Sequence, residues 1–143
     1  MMLTVIERAQ ELTFAQIDAF EQAEYLCRQF FRGQGELCCL WVKEKRCVSM
    51  LRLEPWQDGL LLMGLETLPE HRHHGYASDL LMAVGEYLRS CGYCKLYSHI
   101  DHRNCPSIRV HEKCGFRRIS DTARLLDGTV TARMGTYLLS IPV

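Results

Sequence analysis

The stretch from Leu60 to Leu88 constrains the fold more than any other part of the chain. It begins with an apolar run, Leu60 to Leu68, that has the length of a strand and contains Gly64. A glycine inside a strand marks a bulge or a close approach by another backbone. Pro69 stops the strand, and the basic segment His71 to His74 follows. At Gly75 a helix begins, in which Ala77, Leu80, Leu81, Val84 and Leu88 recur on one face. A strand that feeds a one-sided helix needs a sheet for that helix to lie on, which predicts an α/β layer fold.

The flanking segments extend this pattern. Leu3 to Glu7 reads as a first strand. Thr13-Phe14-Ala15-Gln16 has the form of a capping box and opens a helix with Ala19, Ala23, Leu26 and Phe30 at helical spacing, which Gly33 and Gly35 end. Leu37 to Val42 and Cys47 to Leu53 are strands joined by a polar turn at Glu44-Lys45. Pro55 is expected to end the second, and Asp58-Gly59 is the turn into the third strand of this meander. After the central helix, Gly92 suits a C-terminal cap, and Lys95 to Ile100 is another strand. Asn104 caps a further helix with Pro106 in its first turn, and Gly115 ends it. Phe116 to Arg124, an Asp127-Gly128 turn and Val130 to Leu139 form a final hairpin. The expectation is one α/β (α+β) domain over residues 1–143, a mixed sheet with helices packed on it.

Composition narrows the function. At 143 residues and 48% hydrophobic, the chain has enough apolar material for a core without a covalent staple. Its formal net charge is +0, from 17 basic and 17 acidic residues, whereas nucleic-acid binders usually carry a basic excess. No nucleic-acid partner is expected. No apolar run approaches a membrane span and no signal peptide follows Met1, so a soluble cytoplasmic protein without a membrane partner is expected. The 8 cysteines then read as thiols in a reducing compartment.

The segment Leu65 to Ala77 carries the clearest chemistry. A helix N-terminus presents unpaired N–H groups and the positive end of the helix dipole, and so attracts anions. Gly75 lets a phosphate approach the backbone, Ala77 keeps the first turn small, and Arg72 suits phosphate oxygens. The segment lacks GxxxxGK[ST] and GxGxxG, and it follows a meander rather than opening a βαβ unit, so P-loop and dinucleotide folds fit less well.

Arg72-His73-His74-Gly75-Tyr76-Ala77 resembles the Q/R-x-x-G-x-G/A cofactor motif of the GNAT superfamily of N-acetyltransferases. Asn104 to Phe116, an Asn-led helix ending in a glycine and an aromatic, resembles the family's second signature. The resemblance implies a mostly antiparallel sheet of about seven strands, splayed between the fourth and fifth. It also implies that acetyl-CoA binds in that splay and that no metal is required. Its pyrophosphate would lie on Arg72, His73, His74, Gly75, Tyr76 and Ala77, its pantetheine arm near Thr67 and Leu68, with Asn104 and Ser107 in contact. An acceptor amine would attack the thioester directly, which calls for a neutral amine, an oxyanion stabiliser and an acid for the leaving thiolate.

Several residues are candidates for this chemistry. Asn104, Ser107, Ile108 and His111 share one helix face. His111 lies where many relatives have a tyrosine acid. It reads either as that acid or as a packed, hydrogen-bonded helix histidine. Glu66 reads as a general base, as a contact for a cationic acceptor, or as a solvated strand residue. Tyr97 and His99 share a strand face, with Asp101 and His102 at its end. His71, His73 and His74 are too close together to converge easily on one ion. Cys91-Gly92-Tyr93-Cys94 follows a helix rather than opening one, so the dipole does not favour a thiolate.

The expected reaction is acetyl transfer from acetyl-CoA to a primary amine, with a small-molecule acceptor favoured because the chain offers no strongly charged docking surface. A protein or peptide acceptor, and a non-catalytic acyl-CoA-binding module, are the alternatives. Thr136 to Ile141 is apolar enough to be a sheet edge that pairs in a homodimer.

Overall fold

A computed structural model of the chain describes residues 2–6 and 37–142. The helix expected from Thr13 to Phe30, and the end of the first strand at Glu7, lie outside the described residues. The described strands are β1 (Met2–Ile6), β2 (Leu37–Lys43), β3 (Arg46–Trp56), β4 (Gly59–Thr67), β5 (Lys95–Asp101), β6 (Arg117–Ser120), β7 (Ala123–Arg124), β8 (Val130–Thr131) and β9 (Met134–Ser140). The described helices are α1 (Tyr76–Ser90) and α2 (Cys105–Lys113), with a 3-10 turn at Pro69–His71. Seven strands form the main sheet in the order β1-β2-β3-β4-β5-β9-β6, and β7 and β8 form a separate ribbon. Among the described residues no helix is long and apolar enough to cross a membrane.

The meander forms as its turns dictate. Glu44 and Lys45 both take positive φ, 51° and 64°, the conformation that a two-residue hairpin needs to match strand twist. Pro55 does not end β3, which continues to Trp56. Pro55 instead pairs with Leu60 of β4, so the strand continues past it on that side. A Cβ at Gly59 would collide with the Lys95 carbonyl, so this glycine admits β5 at the start of β4.

The sheet opens between β4 and β5. These strands run parallel and pair only from Leu60↔Leu96 to Leu62↔Ser98. Beyond that point they diverge. Gly64 stands at the divergence with φ 63°, where the β3–β4 register shifts by one residue, between Arg52↔Met63 and Met50↔Glu66. The extra residue is the bulge that the in-strand glycine predicted, and a bulge bends and twists its strand. The backbone therefore turns away from β5 where the cleft begins.

The core lies between this sheet and α1. Leu80, Leu81, Val84 and Leu88 are buried against Leu51, Leu53, Leu60, Leu62, Leu96 and Ile100. Each such side chain contributes about 1.5–3 kcal/mol relative to exposure, which fixes α1 and hence the loop before it. Gly92 takes φ 87° past the end of α1, as a C-terminal cap requires.

The final hairpin differs from expectation. Residues after Phe116 do not form one strand to Arg124: β6 ends at Ser120, and β7 leaves the main sheet to pair with β8. Val130 and Thr131 belong to that ribbon, so the long last strand begins only at Met134. β9 is not an edge, because it lies between β5 and β6. Gly135, Thr136 and Tyr137 are buried in succession, the burial of a strand covered on both faces. A homodimer therefore cannot be built by pairing along Thr136 to Ile141.

Candidate active site

The cleft between β4 and β5 holds a cavity of about 630 Å³, and a second of about 320 Å³ shares part of its lining. Leu65, Asn104 and Ser107 line both. The smaller takes Glu66, Thr67, Arg72 and Ala77 from the loop side. The larger takes Ser98, His99, Asp101 and His111, together with Leu125, Leu126 and Asp127 from the β7–β8 ribbon.

The loop end lies at the start of α1. Gly75 is the N-cap of α1 with φ 78°, and no side chain caps the helix. A Cβ there would meet nothing within 4 Å, so the approach to the first N–H groups of α1 is open. His73 shares the left-handed conformation, with φ 67°. Arg72 is exposed, and its Nε donates to the Thr67 carbonyl at 3.1 Å, which ties the loop back to the end of β4. The Leu68 N–H is taken by the Val48 carbonyl at 3.0 Å, and the Thr67 hydroxyl meets that of Ser49 at 3.1 Å. These bonds make the strand end rigid. Positive charge, uncapped amides and an adjoining cavity together fit a phosphate-bearing group such as the CoA pyrophosphate. His71 lies 3.9 Å from Glu70, and the His71 and His74 rings both tilt against Tyr76.

Asn104 caps α2 by accepting from the Ser107 N–H at 3.2 Å, with Pro106 in the first turn. One turn further along, His111 is 1% exposed. Its Nδ1 lies 2.7 Å from the Ser107 carbonyl oxygen and its Nε2 lies 3.0 Å from the Ser98 hydroxyl. A carbonyl can only accept, so Nδ1 carries the hydrogen and Nε2 accepts from Ser98. Burial lowers the His111 pKa from its ordinary value, and the Ser107 carbonyl opposes this more weakly. The Phe116 ring packs edge-on against the imidazole at 4.9 Å. His111 is thus held in one tautomer and one orientation, and as a neutral ring it has no proton free to give.

The other face of β5 carries a different group. Trp56 makes edge contacts with Tyr97 at 4.9 Å and His99 at 5.1 Å. The Tyr97 hydroxyl donates to Asp58, which also pairs with Lys95 at 2.6 Å. His99 Nε2 is buried without a hydrogen-bond partner among the described residues, and burial lowers the pKa of that ring. Asp101 is held down to about 2, chiefly by its hydrogen bonds with Arg103. Glu66 lies with the loop residues rather than with His99 and His111.

Of the residues singled out in the sequence, Asn104, Ser107 and His111 line the larger cavity, and Thr67, Arg72 and Ala77 line the smaller. Ser98, which no sequence pattern marks, joins the first group through strand register against a helix, and Trp56 lies beyond Pro55 beside Tyr97 and His99. Cys91 and Cys94 are exposed at the end of α1 and in the loop after it, away from the cleft lining.

A sequence model described as the acetyltransferase (GNAT) family matches residues 3–116. No curated protein matches the chain by sequence. The chain is similar in fold to the spermidine N-acetyltransferase from Vibrio cholerae in complex with CoA and spermine, with TM-score 0.65, 16% identity and coverage of 97% of this chain and 95% of that one. It is similar to the ribosomal-protein-S18-alanine N-acetyltransferase from Escherichia coli, with TM-score 0.67, 17% identity and coverage of 99% and 96%. It is also similar to a Bacillus subtilis acetyltransferase in complex with CoA, with TM-score 0.68, 12% identity and coverage of 98% of both chains.

Proposed function

The chain belongs to the acetyltransferase (GNAT) family, and from that premise we propose that it transfers an acetyl group from acetyl-CoA to the primary amine of a small molecule. One observation carries the reading: two cavities, one beside an uncapped helix N-terminus and one reaching a buried His–Ser pair, share Asn104 and Ser107 in their linings. Arg72 to Ala77 would bind the pyrophosphate through Arg72 and the amides of the first turn, and the arm would follow the end of β4 near Thr67 and Leu68. Asn104 and Ser107 would contact it midway. When bound, the cofactor supplies an activated acetyl thioester.

A cavity of about 630 Å³ lies in the size range of small-molecule sites. Its lining among the described residues holds Asp101, which is paired with Arg103, and Asp127, whose carboxylate is kept ionised by hydrogen bonds with Thr129. The Asp127 carboxylate suits an acceptor arriving as an ammonium ion, and Leu61, Met63, Leu126 and Met134 suit an apolar body beside it. A protein N-terminus would have to enter past the ribbon carrying Leu126. Attack needs the neutral amine, and Glu66, half-buried on the loop side, would remove the first proton through water. A Glu66→Gln variant with an unmoved pH–rate profile removes it from that role. His111 would protonate the departing thiolate.

The test is calorimetric titration with acetyl-CoA, followed by thiol release with a panel of small amines and peptides. Saturable binding with release by small amines is the expected result. Release with peptides alone would replace the small acceptor by a protein one. Binding without release from any acceptor would favour a non-catalytic acyl-CoA-binding module, and no binding would overturn the proposal.

A further inference from the structure

His111 holds one proton, and that proton is committed to the Ser107 carbonyl. It can deliver one to sulfur only after receiving one at Nε2, and the group bonded to Nε2 is the Ser98 hydroxyl. Ser98 is the last residue of β5 that pairs with β4, so it sits at the apex of the splay. It is 2% exposed, yet both Ser98 and His111 line the larger cavity. A hydroxyl that donates to imidazole keeps lone pairs to accept a hydrogen bond from the cavity side. The imidazole is locked on its other nitrogen, the arrangement in which a base is oriented by a third group.

We infer that Ser98 is a catalytic residue, the contact through which protons pass in both directions between the reacting atoms and His111. This rests on the acetyltransferase reading above. As the acceptor nitrogen bonds to the acetyl carbon, it gives up a proton to Ser98 Oγ, while the Ser98 hydroxyl proton moves to His111 Nε2. As the carbon–sulfur bond breaks, the Nε2 proton returns to Ser98 Oγ, and the proton on Oγ passes to sulfur. Amine and thioester become amide and thiol, and Ser98 and His111 end as they began. Ser98 Oγ forms no covalent bond to the acetyl group. Burial disfavours the protonated ring, so His111 takes the proton only as the acceptor nitrogen becomes acidic on bonding to carbon, and its protonated form is then a strong donor for the return step.

The experiment has two independent readings on the full chain. The first is the His111 tautomer in the free protein, from long-range proton–nitrogen NMR of the imidazoles, which needs no turnover. The expected result is hydrogen on Nδ1 with an unprotonated Nε2; hydrogen on Nε2 would overturn the relay. The second is kinetic. Ser98→Ala should lower kcat roughly 100-fold with acetyl-CoA affinity within about threefold by calorimetry. His111→Gln should lose a similar factor, and the double variant should lose little more than either alone, because the two act as a unit. A Ser98→Ala variant as active as the parent, or losses that multiply, would overturn the relay while leaving the acetyltransferase reading standing. A parent protein that releases no thiol from acetyl-CoA with any acceptor would overturn that reading instead, even with the expected tautomer.

Discussion

The two ends of the cleft are built by different means. At the loop end the groups proposed to bind phosphate are backbone amides at the start of α1, exposed because Gly75 caps the helix without a side chain. At the far end lie the groups proposed for the chemistry, side chains from β5 and α2, with Ser98 and His111 brought within 3.0 Å by tertiary packing. Backbone amides tolerate many side chains but demand a particular φ. A side-chain pair tolerates backbone variation but demands two residue types in register. The first kind of site should fail through conformation and binding, and the second through chemistry and turnover.

The sharpest way to break that distinction is His111→Phe. The ring volume is roughly kept and the proton path is lost, so turnover should fall about 100-fold or more while acetyl-CoA affinity stays within about threefold. Measured by thiol release and calorimetry, equal losses in both would mean that the two ends are one site. The converse variant is Gly75→Val. A β-branched residue at φ 78° is strained, and its side chain would occupy the open approach to the amides. Strain of about 1–3 kcal/mol predicts roughly 10- to 100-fold weaker acetyl-CoA binding, with kcat at saturation little changed. Unchanged affinity would remove the anion site from the loop.

The same distinction explains what the sequence made legible. The loop motif is local: strand end, arginine, glycine and small residue lie within a few positions, and each has a conformational reason visible in one dimension. So does the Asn104 cap, and so does the bulge at Gly64. Ser98 could not be read, because it is one small polar residue in a strand, and its meaning comes from His111 arriving 13 residues later on a helix. The place of β9 was equally hidden. An apolar strand next to the chain end looks like an edge, but insertion between β5 and β6 is decided by long-range pairing. Trp56 lies beyond Pro55, where a proline reads as a strand stop, yet pairing with β4 carries the strand on to Trp56↔Gly59.

A gentler probe is pH. Burial lowers the folded-state pKa of both His111 and His99 from the ordinary 6.5. Between the lowered and the ordinary value the unfolded chain binds more protons, so acid favours unfolding. Their contribution is present in full above about pH 6.5 and is lost as pH falls through the folded values. The carboxyl of Asp101, held down to about 2 from 3.8, adds a second loss only below that ordinary value. Tm should therefore decline on acidification below about 6.5, and His111→Phe should flatten the first part of that decline. An identical slope in the variant would mean that His111 does not take up a proton on unfolding in that range.

The smallest expected effect lies at Asn104, where the two ends meet. Its Oδ1 caps α2 by accepting from the Ser107 N–H, and its side chain lines both cavities. Asn104→Ala should cost about 1 kcal/mol of stability, a shift of a few degrees in Tm, and some cofactor affinity. Asn104→Asp separates the two roles. The carboxylate still caps, and its charge suits the helix dipole, so stability should be kept or slightly raised. The amide donor is gone and a negative charge faces the cofactor, so acetyl-CoA affinity should drop about as far as in the alanine variant, or further. Stability restored with affinity still reduced would show that Asn104 serves both ends through different atoms. Full recovery of both would make it a cap alone, and the junction between the ends would then rest on Leu65 and Ser107.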